Sequence, residues 1–312
     1  MWSIVFNASF ITDFMAAAIR MTTPLTFAGL SCTISERSGV FNIGAEGMML
    51  SGAFVAAVGA LFTGSAWIGT GFACIIGALL GLLLAVLSIT LGANQIISGV
   101  MINILSLGLT SFLSRIIMGS AITQKLPTFE TWGIPFLLKI PVFGEIFFRQ
   151  SPLSYISYAI AIILTFIFFK TTWGLSIRAA GENPRAVDTA GINVCLVRYI
   201  CVMFSGIFAS LGGAFLSVGV VRYFTENMSA GRGFIGLCIV ILGKWHPLGA
   251  VLAALIFGAV DALQLRLQAF QVGIPYQFLV MLPYIFGFIA ISGVVGRAQS
   301  PEAVGKPYLK ES

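Results

Sequence analysis

The sequence predicts an all-α polytopic membrane protein built as one transmembrane domain over residues 1–312, with about nine membrane helices and broken or re-entrant helices near 39–47 and 231–246. Three observations predict it. Hydrophobic residues make up 58% of the chain and charged residues only 9%, whereas a globular domain carries about 25% charged residues. From Gly47 to Ser114 there is no Asp, Glu, Lys or Arg, a run more than three times the roughly 20 residues that cross a bilayer as a helix. The apolar runs are continuous and long, where strands of a membrane barrel would alternate over about ten residues.

Taken in order, Met1 to about Phe10 is a short apolar lead without a basic region or small-residue cleavage site, so the first helix is expected to stay in the mature protein. A first span then runs to about Ser31 and contains Asp13, Arg20 and Pro24. Arg20 there must face protein or an aqueous cavity, because a lipid-facing charge costs a few kcal/mol. Residues 36–50 follow, with Gly39, Gly44 and Gly47 beside Asn42 and Glu46. That composition breaks a helix and restarts it, turning free amide groups toward a polar passage; the alternative is that the glycines permit tight packing and Glu46 caps a helix start. The charge-free run divides at Thr63-Gly64-Ser65 and at Gly92 to Ile96, giving spans of about 47–63, 66–91 and 95–118. Asn94, Gln95 and Ser98 need polar partners at membrane depth, and a sugar-like solute is one candidate. Gly77 and Gly81 form a G-x-x-x-G pair suited to close helix approach.

Residues 121–151 form a long loop with Pro127, Pro135, Pro141, Trp132, Phe136, Phe143 and Phe147, expected on the extracytoplasmic side as a surface where an external protein docks. A span of about 150–169 leads into residues 171–198, the only long polar segment between spans. Gly181, Pro184 and Gly191 punctuate it into short helical pieces, an ordered helix-turn-helix in water. A span over 199–221 precedes a second polar, glycine-rich stretch, 222–236. Gly231, Gly233 and Gly236 formally match G-x-G-x-x-G, but that fingerprint needs a preceding strand in a βαβ unit, so a helix start re-entering the membrane fits better and hints at an internal repeat. Residues 234–243 are too short to span and form a partial helix and turn with Lys244, Trp245 and His246. Spans over 248–267, holding Asp261 and Arg266 as a pair or caps, and 274–295 complete the chain.

Placing Arg37, residues 171–198, Lys244, Arg297, Lys306 and Lys310 in the cytoplasm satisfies the positive-inside rule, with the amino terminus outside. The formal charge of +6 is thereby assigned to membrane topology and not to nucleic acid. The five cysteines form no C-x-x-C pair and serve as small packing residues. His246 is the one histidine, so neither a histidine metal cluster nor a catalytic triad is available. No G-x-x-x-x-G-K-[ST] occurs, so the chain does not cradle ATP phosphates; energy comes from another subunit, or from an ion gradient with Glu46 or Asp261 carrying protons.

Residues 36–53 (ERSGVFNIGAEGMMLSGA) and 181–194 (GENPRAVDTAGINV), with 230–236, 244–249 and 305–308, resemble the permease subunits of bacterial ABC importers. More narrowly, they resemble the nucleoside and simple-sugar branch of the branched-chain amino acid and ribose permease family. The resemblance implies that residues 181–194 are a cytoplasmic coupling helix seated in an ATPase, carried by Gly181, Glu182, Asn183, Pro184, Arg185, Asp188 and Gly191. It further implies an ABC ATPase that binds ATP and Mg, a second homologous permease and an extracytoplasmic substrate-binding lipoprotein, in the bacterial cytoplasmic membrane. This chain itself would hold no cofactor and catalyse no covalent chemistry. Asn42, Glu46, Asn94, Gln95 and Ser98 are the residues expected to line the passage, with Thr225 and Glu226 at its outer mouth.

Overall fold

The computed structural model describes residues 8–119, 125–133, 149–270, 275–294 and 299–308. The chain opens with α1 (Ala8–Arg37), which continues past Ser31, where the sequence suggests an end. The reason is local: Thr22 and Thr33 return their hydroxyls to the carbonyls of Ala18 and Gly29, 2.8 and 2.7 Å away, so polar residues stay satisfied inside the helix. After a non-helical stretch, α2 (Ala45–Thr63) and α3 (Ala66–Ala85) form a hairpin over Gly64, whose φ of 70° is the left-handed conformation glycine adopts freely. A π-helical turn, Val86–Thr90, extends α3, and α4 (Gln95–Ile117) follows.

Of the long loop, residues 125–133 and 149–151 lie within the described residues. Trp132 pairs with Gln150 and Gly133 with Arg149 in a two-residue antiparallel ladder, β1 (Trp132–Gly133) and β2 (Arg149–Gln150). Then come α5 (Pro152–Lys170), α6 (Thr172–Glu182), α7 (Pro184–Thr189) and α8 (Val194–Ala214), the last extended by a π segment, Phe215–Val221. The chain closes with α9 (Arg232–Leu242), α10 (Pro247–Ala269) and α11 (Tyr276–Ile289), which runs into a π turn, Ala290–Val294.

Among the described residues, six helical segments are long and apolar enough to cross a membrane: 45–63, 66–90, 95–117, 152–170, 194–221 and 247–269. The chain is therefore a helical, multi-pass membrane protein. At its centre α8 packs against α3, α2 and α1, and α10 packs along α1. Backbone-to-backbone approach makes these crossings. A Cβ on Gly206 would strike the Gly77 carbonyl, one on Gly77 would lie 2.5 Å from the Gly206 carbonyl oxygen, and one on Gly81 would lie 2.6 Å from that of Val202. The G-x-x-x-G pair thus seats α3 on α8, the role small residues play where no hydrophobic drive separates helix from lipid.

Two expectations change. Arg198, placed by sequence in the aqueous segment, lies within α8 and is 1% exposed. Asp261 pairs with Arg232 and not with Arg266: five residues along a helix turn about 140°, so Asp261 and Arg266 point apart.

Candidate functional site

Residues 38–44 and 222–231 are non-helical stretches that interrupt the bundle, and each is braced by side chains from neighbouring helices. In the first, the Phe41 N–H donates to Gln95 Oε1 at 2.7 Å. Asn103 on α4 spans the break: its Oδ1 accepts from Gly47 N at 2.7 Å and its Nδ2 donates to the Ile43 carbonyl at 3.0 Å. From α8, Ser205 accepts from Asn42 Nδ2 at 2.8 Å and bonds Ser31 at 2.9 Å, while Ser210 donates to the Met48 carbonyl at 2.9 Å. A buried, unsatisfied amide costs several kcal/mol in a lipid environment, which is why a bent backbone survives only with this many polar partners.

The second break is held by Glu46. Its two carboxylate oxygens accept from the backbone N–H groups of Gly231 and Gly233, at 2.8 and 2.7 Å, at the start of α9. An anion on free amides at a helix N-terminus also meets the positive end of the helix dipole. Gly233 leaves room for this approach, since a Cβ there would strike the Glu46 backbone. Arg232, beside the cap, pairs with Asp261 of α10 at 3.0 Å, with side chains 19% and 10% exposed. Tyr284 of α11 donates to the Ala230 carbonyl at 2.7 Å. Glu46 therefore stands in the first turn after one break and closes the other. Both carboxylates weighed as proton carriers, Glu46 and Asp261, have structural partners here.

Depth follows from the packing of α9. Gly236 faces Ala28, and the turn after α9 returns to the end of α1, where the Arg37 Nε donates to the Trp245 carbonyl at 2.8 Å and Trp245 donates to Glu36 at 2.6 Å. Nine residues separate Ala28 from Arg37, roughly 13 Å of helix, so α9 begins well inside the bundle.

The remaining expected passage residues fall in three settings. Asn42, Gln95 and Ser98 are buried, at 0%, 2% and 3% exposure. Asn42 Oδ1 and Gln95 Nε2 are buried without a hydrogen-bond partner, an acceptor and a donor left unsatisfied inside the bundle. Asn94 is exposed and caps α4, its Oδ1 accepting from Ile96 and Ile97 N–H at 2.9 and 3.2 Å. Thr225 and Glu226 lie at the far end of α4, where Arg115 Nε donates to Glu226 at 2.9 Å. With Ser114 and Met118 they line a cavity of about 240 Å³. The hydrogen bond from Arg115 holds the Glu226 carboxyl below its ordinary range.

At the opposite end, α6 and α7 form the polar helix-turn-helix. Thr171 caps α6 and Asn183 caps α7, the latter through Ala186 N–H at 3.2 Å, with Pro184 at the first helical position. Gly191 closes the segment at φ 81°. Glu182, Asn183 and Arg185 are exposed, Asp188 is half-buried and Gly181 is buried. A Cβ on Gly181 would strike the Arg37 carbonyl. Arg198 then ties three parts together: its Nε donates to the Ser38 carbonyl at 3.1 Å, an Nη donates to the Ala180 carbonyl at 3.4 Å, and its guanidinium lies 5.8 Å from the Tyr308 ring centroid. The helix-turn-helix is thus bonded directly to the first break.

Sequence reasoning passed over Asn103, Ser205 and Ser210, and placed Arg198 in the aqueous segment and not in α8. The available signal was Asn103 between Ile102 and Ile104, a side-chain amide that membrane depth obliges to find partners.

A multi-pass helical bundle with braced polar breaks inside and a polar helix-turn-helix at one end is an architecture that suits a membrane permease. The comparisons agree. The family "Branched-chain amino acid transport system / permease component" matches residues 14–291, and the chain belongs to that family. It is similar to the guanosine ABC transporter permease protein NupQ of Bacillus subtilis, 43% identical over 94% of this chain and 95% of that protein. It is also similar to the nucleoside ABC transporter permease protein NupC of Lactococcus lactis, 37% identical over 93% and 94% of the two chains. The putative glucose ABC transporter permease protein TsgC13 of Haloferax volcanii is 38% identical over 85% and 81%. Among solved structures, an inward-facing conformation of a putative metal-chelate type ABC transporter shares the fold, with a TM-score of 0.51 at 14% identity, over 90% of this chain and 85% of that one.

Proposed function

We propose that this chain is the membrane-spanning subunit of an ATP-driven importer that moves nucleosides or related simple sugars across the bacterial cytoplasmic membrane. The observation that carries this reading is the near full-length likeness to a guanosine permease and a nucleoside permease; the similar putative glucose permease keeps simple sugars in the class. The buried, unpartnered Asn42 Oδ1 and Gln95 Nε2 suit a passage that opens in another state and there meets a hydroxyl-rich or heterocyclic solute, which carries both kinds of group.

Adding α1, α9 and α11 to the six spanning segments gives nine membrane helices, with the amino terminus outside and the handle in the cytoplasm, where basic loops are retained. An ABC ATPase binds ATP and Mg and seats α7. Its closure pulls Gly181 and Arg198, and through them residues 38–44, so that the bundle rocks between outward-open and inward-open states. A second homologous permease completes the passage, which suits the exposed apolar face of α4 that includes Ile97, Met101 and Ile104. An extracytoplasmic lipoprotein delivers the solute at the end where Thr225 and Glu226 stand.

Reconstituted vesicles containing the complete complex test this. Uptake of a labelled nucleoside should require ATP on the side of the ATPase and survive collapse of the proton gradient. Uptake that persists without ATP and fails when the gradient is discharged would overturn it.

A further inference from the structure

Residues 299–308 fold back onto the handle. Pro301 and Ala303 are buried. The Ala303 N–H donates to the Gly181 carbonyl at 2.8 Å and the Glu302 N–H donates to Glu182 Oε2 at 3.3 Å. Tyr308 lays its ring near Arg198, whose guanidinium is 5.8 Å from the ring centroid. Residues 301–303 are thus fastened at the junction of α6 and α7. Between tail and handle opens a groove of about 710 Å³, walled by Glu182, Asn183 and Arg185 on the handle and by Glu302, Lys306 and Tyr308 on the tail.

We infer that this groove, and not α7 alone, is the surface on which the ATPase partner docks, with the tail as its second wall. The inference rests on the coupling role proposed above. Two cations, Arg185 and Lys306, face two carboxylates, Glu182 and Glu302, so the groove has no net charge to hold an anionic lipid surface. Mixed polarity, with Tyr308 and Arg185 among its walls, suits a folded protein partner. Its volume falls within the range of built binding clefts, room for a few inserted side chains. The tail also binds the Gly181 carbonyl and lays Tyr308 by Arg198, so a load on the groove reaches Arg198 by two routes, through Ala180–Gly181 and through Tyr308.

Incorporation of the photo-cross-linker p-benzoylphenylalanine at position 185 or at position 306 of the assembled complex separates the possibilities. Labelling of the ATPase from both positions is expected. Labelling from 185 alone would overturn the tail's role and leave the coupling role standing, whereas labelling from neither, or from 306 alone, would overturn the coupling role and this inference with it. As a second readout, Lys306→Glu reverses one charge on an exposed side chain and should weaken ATPase retention on the purified permease about tenfold. Unchanged retention would count against the groove.

Discussion

Glu46 places two backbone N–H groups on one carboxylate at a helix start deep in the bundle. Replacing it with Gln leaves one acceptor oxygen for two donors, and an orphaned buried amide costs about 1–3 kcal/mol. Glu46→Gln should therefore lower the thermal stability of the purified protein in nanodiscs by about that amount; a melting curve that does not move would show the cap to be dispensable. Gln95 has a double position, with its oxygen on Phe41 N–H and its nitrogen without a partner. For Gln95→Leu, folded protein should show a KM for uptake raised about tenfold, the worth of one hydrogen bond of about 1.4 kcal/mol. Unaltered kinetics would remove Gln95 from the passage. At this scale the sequence exposed the polar residues but not their duties. Glu46 admitted both a passage role and a cap role, and only the fold brings Gly231 and Gly233 to it across 185 and 187 positions of chain.

Between helices, glycine decides the approach. A bulky residue at Gly206 drives a side chain into the backbone of α3, whereas a Cβ on Gly71 of the same helix hairpin meets nothing within 4 Å. Gly206→Val should destabilise the bundle by at least about 1–3 kcal/mol, the cost of overpacking, and Gly71→Ala should not, as measured by the fraction surviving a heat challenge in detergent. Equal behaviour of the two would refute the close crossing. The start of α10 offers a pH test. His246 caps it by accepting from Leu248 N–H at 3.2 Å through Nδ1, which must be unprotonated to accept. Burial, with Arg37 nearby, holds its pKa below the ordinary 6.5. A depressed folded value means the unfolded chain takes up the proton first, so stability falls as pH drops below about 6.5 toward the lowered value. His246→Asn, which keeps a cap acceptor, should flatten that part of the profile; an unchanged slope would assign it to another group. The G-x-x-x-G pair was readable because its spacing lies on one face of a single helix, whereas the caps made by Asn94 and Asn183 came from the fold. Arg198 was misread because its burial depends on Ser38, Ala180 and Tyr308, which no local pattern brings together.

For the whole molecule, composition alone settled the bilayer and the helical class, since continuous charge-free runs leave no other spanning structure. The ends of the spans were less legible. Threonine and serine let α1 continue through a polar stretch, and α8 begins at Val194 inside what reads as an aqueous segment. The first break was visible from clustered glycines beside Asn42 and Glu46 and the second from Gly231, Gly233 and Gly236, but the braces that join them to α4, α8, α10 and α11 are tertiary. Those braces make a mechanical argument possible: the handle is bonded to residues 38–44 through Arg198 and Gly181, and that stretch reaches the second break through Glu46. The most direct test is the number of ATP molecules hydrolysed per solute imported by the reconstituted complex, compared with that of a complex carrying Arg185→Ala and Asp188→Ala. The account predicts that hydrolysis continues while import falls at least about tenfold, so the ratio climbs steeply, as expected when about 1.4 kcal/mol or more of coupling is lost. A double variant that imports at the original ratio would contradict it.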